Sequence, residues 1–560
     1  MFKILKKLLT LSLIISFSNC YAEITESQLK ANTEKLDKIV IEAMQKLGVP
    51  GATYAVTKNG KIIHTSCFGT TTLGKNEPIT KDTLFPLASM SKNVTGFLVG
   101  ALVEAGKIKF EDKVRKYLPD FFAGNEDVSG KMTIRDLISF RSGFKPYVAE
   151  FMLTAGYPKD KIISSLKYFK QFPGSFQKTY SYQNVIFGIV GDVLEKATGE
   201  KYEDLVQKYI FDKLNMSNAS AIPLKYDQSF FGYFKYRCGR FKDDCKQQGF
   251  FKAISGFFKS ILGHKNKHAT SCHSKYDGKM EILPYSEAVF QVFPATSGVS
   301  FSAEDLEKWM AVISGKGSYN GTQIVSPQMF KELTTKATKI VNIKDTDRYF
   351  PVDRIERESF GYGVGAFVCQ YNDNGKNAHP IIFHTAGMYG TTAFYAADLN
   401  DGFSIAIACN YGGNSQTMFA EYVVLTFLDI CYNFKKKDWI QFELDEKAKE
   451  NTDRMREYAE IKERNIGAMA EPENYVGTYT SDIYGDVNIT LKNNELFLDN
   501  GIKKTKLDHV NRDIFEFPWR NMAPYFDVHA FASFARSNSG KFESLRISCF
   551  AEEDTEFKRK

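Results

Sequence analysis

Strand-like sequence stands at both ends of a long helical stretch, and this constrains the fold more than any other feature of the chain. Ala52 to Val56 and Ile62 to Cys67 read as two strands, with Lys58-Asn59-Gly60 as the hairpin turn between them. Ile381 to Thr385, Thr392 to Ala397 and Phe403 to Cys409 repeat the pattern far downstream, and Asp398 to Gly402 turns between the last two. The sequence between the two blocks has mostly helical spacing. A helix also precedes the first block, with Leu36, Ile39, Val40, Ile41, Ala43, Met44 and Leu47 at helical intervals before Gly48-Val49-Pro50-Gly51 stops it. One antiparallel sheet assembled from both ends of a domain, with helices around it, satisfies both blocks. The expectation is an α+β fold with a large helical insertion.

At 560 residues the chain exceeds what one core holds. Trp439 to Arg464 is highly charged and helical in pattern, and it joins the main body to a tail. From Tyr475 onward the tail is short alternating strands: 475–479, 487–491, 494–498 and 544–550. The predicted organisation is a signal peptide at 1–22, a main domain at 23–437, a helical linker at 438–468 and a small all-β domain at 469–560.

The signal peptide is read from a basic start (Lys3, Lys6, Lys7), an apolar run from Leu8 to Phe17, and small residues ending at Ala22. Export to the periplasm or cell envelope follows, with lipidation at Cys20 as the alternative, although Phe17-Ser18-Asn19 is a poor approach to a lipidated cysteine. Eight cysteines remain after that cut, and export permits disulfides without requiring them. Several lie in apolar runs, where a buried free thiol is the simpler reading; Cys409 is one.

Chemistry enters at Phe85-Pro86-Leu87-Ala88-Ser89-Met90-Ser91-Lys92. A loop ends at Ser89 and a helix begins, so Lys92 lies one turn on and on the same face. A serine with an amine above it, at the positive end of a helix, has a base for its proton and N–H groups for a developing oxyanion. Ser-x-x-Lys also arises by chance, and Ser164 to Lys167 is a second match. Two further features follow in order: Tyr182-x-Asn184, ahead of an amphipathic helix from Val185 to Ala197, and His384-Thr385-Ala386 on a strand. Taken singly, Tyr182 and Asn184 read as turn residues capping that helix, and His384 reads as a satisfied core histidine.

Together the three motifs resemble the serine β-lactamase and penicillin-binding-protein superfamily, in the broad group related to class C β-lactamases and D-alanyl-D-alanine carboxypeptidases. Supporting stretches include Thr133-Ile134-Arg135-Asp136-Leu137 through Ser142-Gly143, and Ser300 through Leu306. Ser164 has no such setting. The tail resembles the small lipocalin-like domain that often follows these hydrolases. The resemblance implies Ser89 as the acylated nucleophile, Lys92 as its activating amine and Tyr182 as the phenol that passes a proton to the leaving group. It implies Asn184, His384, Thr385 and Gly387 as substrate-binding positions, with the oxyanion between the N–H groups of Ser89 and Gly387. It calls for no cofactor and no metal.

The third motif departs from the family, which usually has Lys-Thr-Gly there, or His-x-Gly in its peptidase and esterase branches. A neutral histidine does not replace a permanent charge for recognising a substrate carboxylate, and Ala386 adds a methyl where substrate backbone approaches. An efficient β-lactamase is therefore disfavoured. The implied substrate is a small peptide, amide or ester, and the implied enzyme a D-amino-acid peptidase, carboxypeptidase or esterase. The alternative is a catalytically weak or inactive binding protein of the same fold at the membrane surface.

That alternative draws on a basic insertion at 225–279, which holds twelve Lys or Arg against four Asp, in a chain whose formal charge is +7. Within it, 249–263 gathers Phe250, Phe251, Ile254, Phe257, Phe258, Ile261 and Leu262 on one helical face, with Lys252 and Lys259 away from it. Such a face either lies on a membrane surface, or packs on the hydrolase body or covers the cleft. The Cys and His residues nearby match no standard zinc spacing. An exported chain with an acidic remainder is not expected to bind nucleic acid.

Overall fold

The computed structural model describes residues 23–221, 238, 254, 268–276, 279–283, 292–340, 354–388, 390–412, 418–463, 466–467, 470–518, 529–548 and 556–560. The expected signal peptide and, apart from Ile254, the amphipathic stretch 249–263 lie outside these residues.

The first helix, α1 (Glu26–Leu47), starts on a capping box in which Thr25 and Gln28 satisfy each other's backbone N–H groups. It ends at Gly48, whose φ of 74° is cheap for a residue without Cβ. Then β1 (Gly51–Lys58) and β2 (Lys61–Gly69) form the expected hairpin. The elements that matter between the strand blocks are α2 (Ser91–Glu104), α3 (Glu150–Thr154), α4 (Asn184–Thr198) and α5 (Ala303–Ser314). The sheet resumes with β3 (Thr338–Lys339), β4 (Gly361–Tyr362), β5 (Phe367–Asp373), β6 (Lys376–Met388), β7 (Thr391–Asp398) and β8 (Phe403–Cys409), followed by α6 (Phe419–Tyr432) and α7 (Trp439–Glu463).

These strands make one eight-stranded antiparallel sheet in the order β2-β1-β8-β7-β6-β5-β4-β3. The two ends of the domain meet where β1 pairs with β8, Ala52 opposite Cys409 and Lys58 opposite Phe403. Strand alternation covers both faces. Tyr54 donates to Asp37 of α1 at 2.6 Å, while Thr57, on the other face, donates to the Met310 carbonyl of α5 at 3.1 Å. With helices on both sides, β1, β7 and β8 are buried along their whole length. Helix α2 is buried from Ser91 through Leu102, as a helix apolar on nearly all sides must be.

Two differences from the sequence reading have identifiable causes. Strand β5 was not expected, because its partner's first half, Lys376-Asn377-Ala378-His379-Pro380, lacks strand-like residues. The turn between them, Asn374 and Gly375 with φ of 51° and 78°, is the Asn-Gly hairpin signal that could have revealed it. The tail is larger than its four expected strands: β9 (Gly477–Ser481), β10 (Gly485–Lys492), β11 (Glu495–Asp499), β12 (Lys504–Asn511), β13 (Ile514–Pro518), β14 (His529–Arg536), β15 (Phe542–Ile547) and β16 (Glu556–Arg559) close into a barrel. Closure removes the exposed edges that an open sheet of this size would carry. Its interior is aromatic: the ring of Tyr475 lies 4.4 Å from that of Phe542 and 5.0 Å from those of Phe515 and Phe534. Cys409 is buried with a free thiol, as are Cys272 and Cys369.

Candidate active site

Ser89 is presented by a strained turn. Phe85-Pro86 pairs with Ser300-Phe301, and the Leu87 N–H donates to the Val299 carbonyl at 2.9 Å. Ala88 then takes φ of 42°, a left-handed conformation that costs an alanine roughly 1 kcal/mol or more. A single 3₁₀ turn, Ala88–Met90, leads into α2. The surrounding structure pins both sides of this turn, since the Ser91 hydroxyl accepts from the Val299 N–H at 3.0 Å. Ser89 itself is partly exposed between buried neighbours.

Lys92, one helical turn on, is completely buried, and its Nζ lies 2.9 Å from Ser89 Oγ and 3.2 Å from the Thr296 carbonyl. That carbonyl belongs to a segment tied to the next turn of α2, where Thr95 donates to the Ala295 carbonyl at 2.7 Å. The rings of Tyr182 and Phe187 wall the ammonium at 5.0 and 5.7 Å. Burial disfavours the charged amine and brings Lys92 down to about 7, against an opposing pull from the Glu150 carboxylate. A lysine in this state exchanges its proton near neutrality.

Tyr182 comes to the same oxygen from the other side, its hydroxyl 2.9 Å from Ser89 Oγ. Gln183 fixes the segment: its amide donates to the carbonyls of Phe144 at 2.8 Å and Lys145 at 3.1 Å, and its side-chain oxygen accepts from Ser142. This explains locally why the Ser142-Gly143 stretch matters. The Tyr147 N–H donates to the Tyr182 carbonyl at 2.8 Å, and Phe140 packs its ring 4.6 Å from that of Tyr182.

Asn184 is the first residue of α4 and does not cap it; its amide donates to Glu150 Oε1 at 2.9 Å. Glu150 was not singled out in the sequence, because no motif marks it. Its place depends on the fold of the 142–150 loop. Thr296 was missed for a similar reason, since a main-chain carbonyl carries no residue signature.

The expectation that His384 contacts substrate meets a ring that is wholly buried with both nitrogens engaged. Nδ1–H donates to the Thr385 carbonyl at 2.6 Å, which leaves Nε2 to accept from the Tyr362 hydroxyl at 3.0 Å. Burial first, and the Lys92 charge second, bring its pKa down to about 3, so the imidazole is neutral. It stands behind Tyr182, ring to ring at 6.3 Å, as a support and not as an open contact. The ordinary reading of a satisfied core histidine holds here. Ala386 is also buried, so its methyl is not presented to an incoming chain. Thr385 is nearly buried, while Gly387 is exposed and a Cβ there would have no atom closer than 4.0 Å.

Ser164, the rival match, donates to the Lys161 carbonyl at 3.1 Å. Among the described residues one group, His379, Asp398 and Asp401, brings metal-ligating atoms within 4.8 Å of one another. Asp398 has other work: Oδ1 accepts the N–H groups of Asn400 and Asp401 at 2.7 and 2.8 Å, and Oδ2 accepts the Tyr432 hydroxyl at 2.7 Å. That carboxylate caps the β7–β8 turn. His273 is likewise satisfied, accepting the Leu73 N–H at Nε2 (3.0 Å) and donating from Nδ1 to the Asn410 carbonyl (2.8 Å).

Comparison with known proteins places the chain in a family. The sequence model described as Beta-lactamase matches residues 36–425, and that of a domain of unknown function, DUF3471, matches residues 462–559. Penicillin-binding protein 4* of Bacillus subtilis is 27% identical over 218 residues, 37% of this chain and 46% of that protein. The D-aminopeptidase of Brucella anthropi is 30% identical over 202 residues, 34% of this chain and 37% of that protein. The chain thus spans less than half the length of either relative. Among solved structures, the octameric penicillin-binding protein homologue from Pyrococcus abyssi superposes with a TM-score of 0.54 at 16% identity, covering 94% of this chain and 99% of that one, a likeness of fold alone. With the family matched over most of its length and a lysine and a tyrosine converging on one serine, this chain belongs to the β-lactamase family of serine hydrolases.

Proposed function

We propose that the protein is an exported acyl-transfer hydrolase that works through an ester on Ser89. The observation that carries this reading is the position of Ser89 Oγ, 2.9 Å from both a buried lysine amine and a tyrosine hydroxyl. In the neutral form, Lys92 takes the Ser89 proton as Oγ attacks a substrate carbonyl carbon. The N–H groups of Ser89 and Gly387 receive the oxyanion. Tyr182 passes a proton to the leaving nitrogen or oxygen, the bond to that atom breaks, and the acyl group stays on Ser89. Water, deprotonated through the same lysine and tyrosine, then releases the acid and restores the serine.

The substrate is a small D-amino-acid peptide or amide, or an ester, and not a β-lactam turned over efficiently. A neutral, enclosed His384 at the third motif offers no permanent cation to a substrate carboxylate. Processing after Ala22 and action in the periplasm or cell envelope complete the reading. A screen of D-Ala-D-Ala peptides, D-aminoacyl amides, short-chain esters and nitrocefin against wild type and Ser89→Ala tests it. Turnover of a peptide, amide or ester that Ser89→Ala abolishes is expected. Nitrocefin as the best substrate, or no turnover of any, contradicts it.

A further inference from the structure

The C-terminal barrel touches the hydrolase domain at a segment that reaches the site. Helix α3 has five residues, too few to be stable alone, and its entry passes through Tyr147 and Ala149 at φ of 59° and 57°. Such a segment keeps its shape only if its neighbours hold it. On one side, the Tyr147 N–H bonds the Tyr182 carbonyl at 2.8 Å, and Glu150 accepts from Asn184 at 2.9 Å. On the other side, the ring of Phe151 meets that of Tyr484, in the β9–β10 turn, edge-on at 5.4 Å between centroids. Phe151 also packs on Tyr157 at 6.2 Å. The Ser165 hydroxyl lies 2.7 Å from the Lys161 carbonyl of its own helix and 3.1 Å from the Ile483 carbonyl of the same barrel turn, and shares its one proton between them. Phe151, Ile483 and Tyr484 are all buried, so this contact excludes water.

We infer that the barrel is a positioning part of the active site, the Ile483-Tyr484 turn packing on Phe151 and so holding Glu150 and the Tyr147–Tyr182 backbone bond in place. This rests on the acyl-transfer reading of Ser89 for its kinetic consequence but not for its structural one. Tyr484 and Phe151 act on the site through α3. The Glu150 carboxylate in turn acts on the Lys92 ammonium, so displacement of α3 alters the base as well as the wall of the cleft.

The test uses full-length protein with Tyr484→Ala and Tyr484→Phe. Amide hydrogen exchange is followed in peptides covering 147–157 and 180–186, and the second-order rate of Ser89 labelling by a fluorophosphonate is measured across pH. Loss of the Tyr484 ring, which packs on Phe151 and, within the barrel, on Phe557, is expected to quicken exchange in both peptides and slow labelling by about threefold to tenfold in Tyr484→Ala, with Tyr484→Phe close to wild type. The acid limb of the labelling profile is expected to shift, which loss of barrel stability alone would not cause. If Tyr484→Ala fails to fold, Phe151→Leu, which removes the ring contact with Tyr484 from the hydrolase side, carries the same expectation. Unchanged exchange overturns the inference whether or not the protein labels. Faster exchange with labelling within twofold of wild type and an unmoved acid limb overturns the positioning role. If wild type does not label at all, the acyl-transfer reading fails by itself, and exchange at 180–186 still decides whether the barrel holds the site.

Discussion

Lys92→Met should separate what the buried lysine does for chemistry from what it costs the fold. The residue is fully enclosed, and burial brings its amine from the usual 10.5 down to about 7. Between those values an unfolded chain holds the lysine proton and the folded chain does not, so stability rises with pH across that window. Below about pH 7 both states hold the proton and the full penalty stands. From pH 7 to pH 9 the lysine should therefore contribute a gain in unfolding free energy of about 2 kcal/mol. In Lys92→Met that slope disappears, and at pH 7 the variant should be the more stable protein, less about 1 kcal/mol each for the lost bonds to Ser89 and the Thr296 carbonyl. Urea unfolding at pH 7, 8 and 9, followed by tryptophan fluorescence, to which buried Trp309 and Trp439 both contribute, measures both quantities. Activity gives the complement. Ser89 acylation in wild type should fall about tenfold per unit below pH 7 and be abolished in the variant. Parallel stability curves for the two proteins, or acylation insensitive to pH between 5 and 8, would refute the argument that burial tunes this amine.

Tyr182→Phe removes the second group at Ser89 Oγ and should slow acylation by about 10²-fold or more, with the urea midpoint nearly unmoved because the ring contact with Phe140 remains. Tyr362→Phe leaves His384 Nε2 buried without its donor and should cost about 1–3 kcal/mol, read as a lower urea midpoint. Gly365→Ala places a Cβ 2.2 Å from the Lys92 carbonyl at a φ of 73°, so it should lower both the urea midpoint and the acylation rate by shifting the start of α2.

Much of this arrangement can be read in the sequence because it is carried by side chains at fixed local spacing. Ser89 and Lys92 are one helical turn apart, and Tyr182 lies two residues before a strongly periodic helix. The meeting of the two strand blocks follows because neither hairpin could bury its apolar face alone. The unread parts depend on long-range placement. Glu150 reaches Asn184 from a five-residue helix with no periodic signal, and Thr296 contributes only a backbone carbonyl. His384 stands on the strand as expected, but its burial is set by Tyr362, Phe367 and Tyr182, which converge on the ring from three other parts of the chain. Strand β5 escaped notice because the polar half of its partner hid the hairpin, and only the Asn374-Gly375 turn marks it. Four barrel strands escape the sequence reading: Lys504–Asn511 and Glu556–Arg559 carry few apolar residues, whereas Ile514–Pro518 and His529–Arg536 are apolar enough to read as strands, and the place of all four is fixed by ring closure.

The central claim is that Ser89 forms the covalent intermediate. Intact-mass analysis after treatment with a fluorophosphonate, followed by peptide mapping, tests it most directly. A single adduct on the peptide carrying Ser89, absent from Ser89→Ala and strongly reduced in Lys92→Met, is the predicted result. An adduct on another serine, such as Ser164, or labelling that survives in Ser89→Ala, would contradict it.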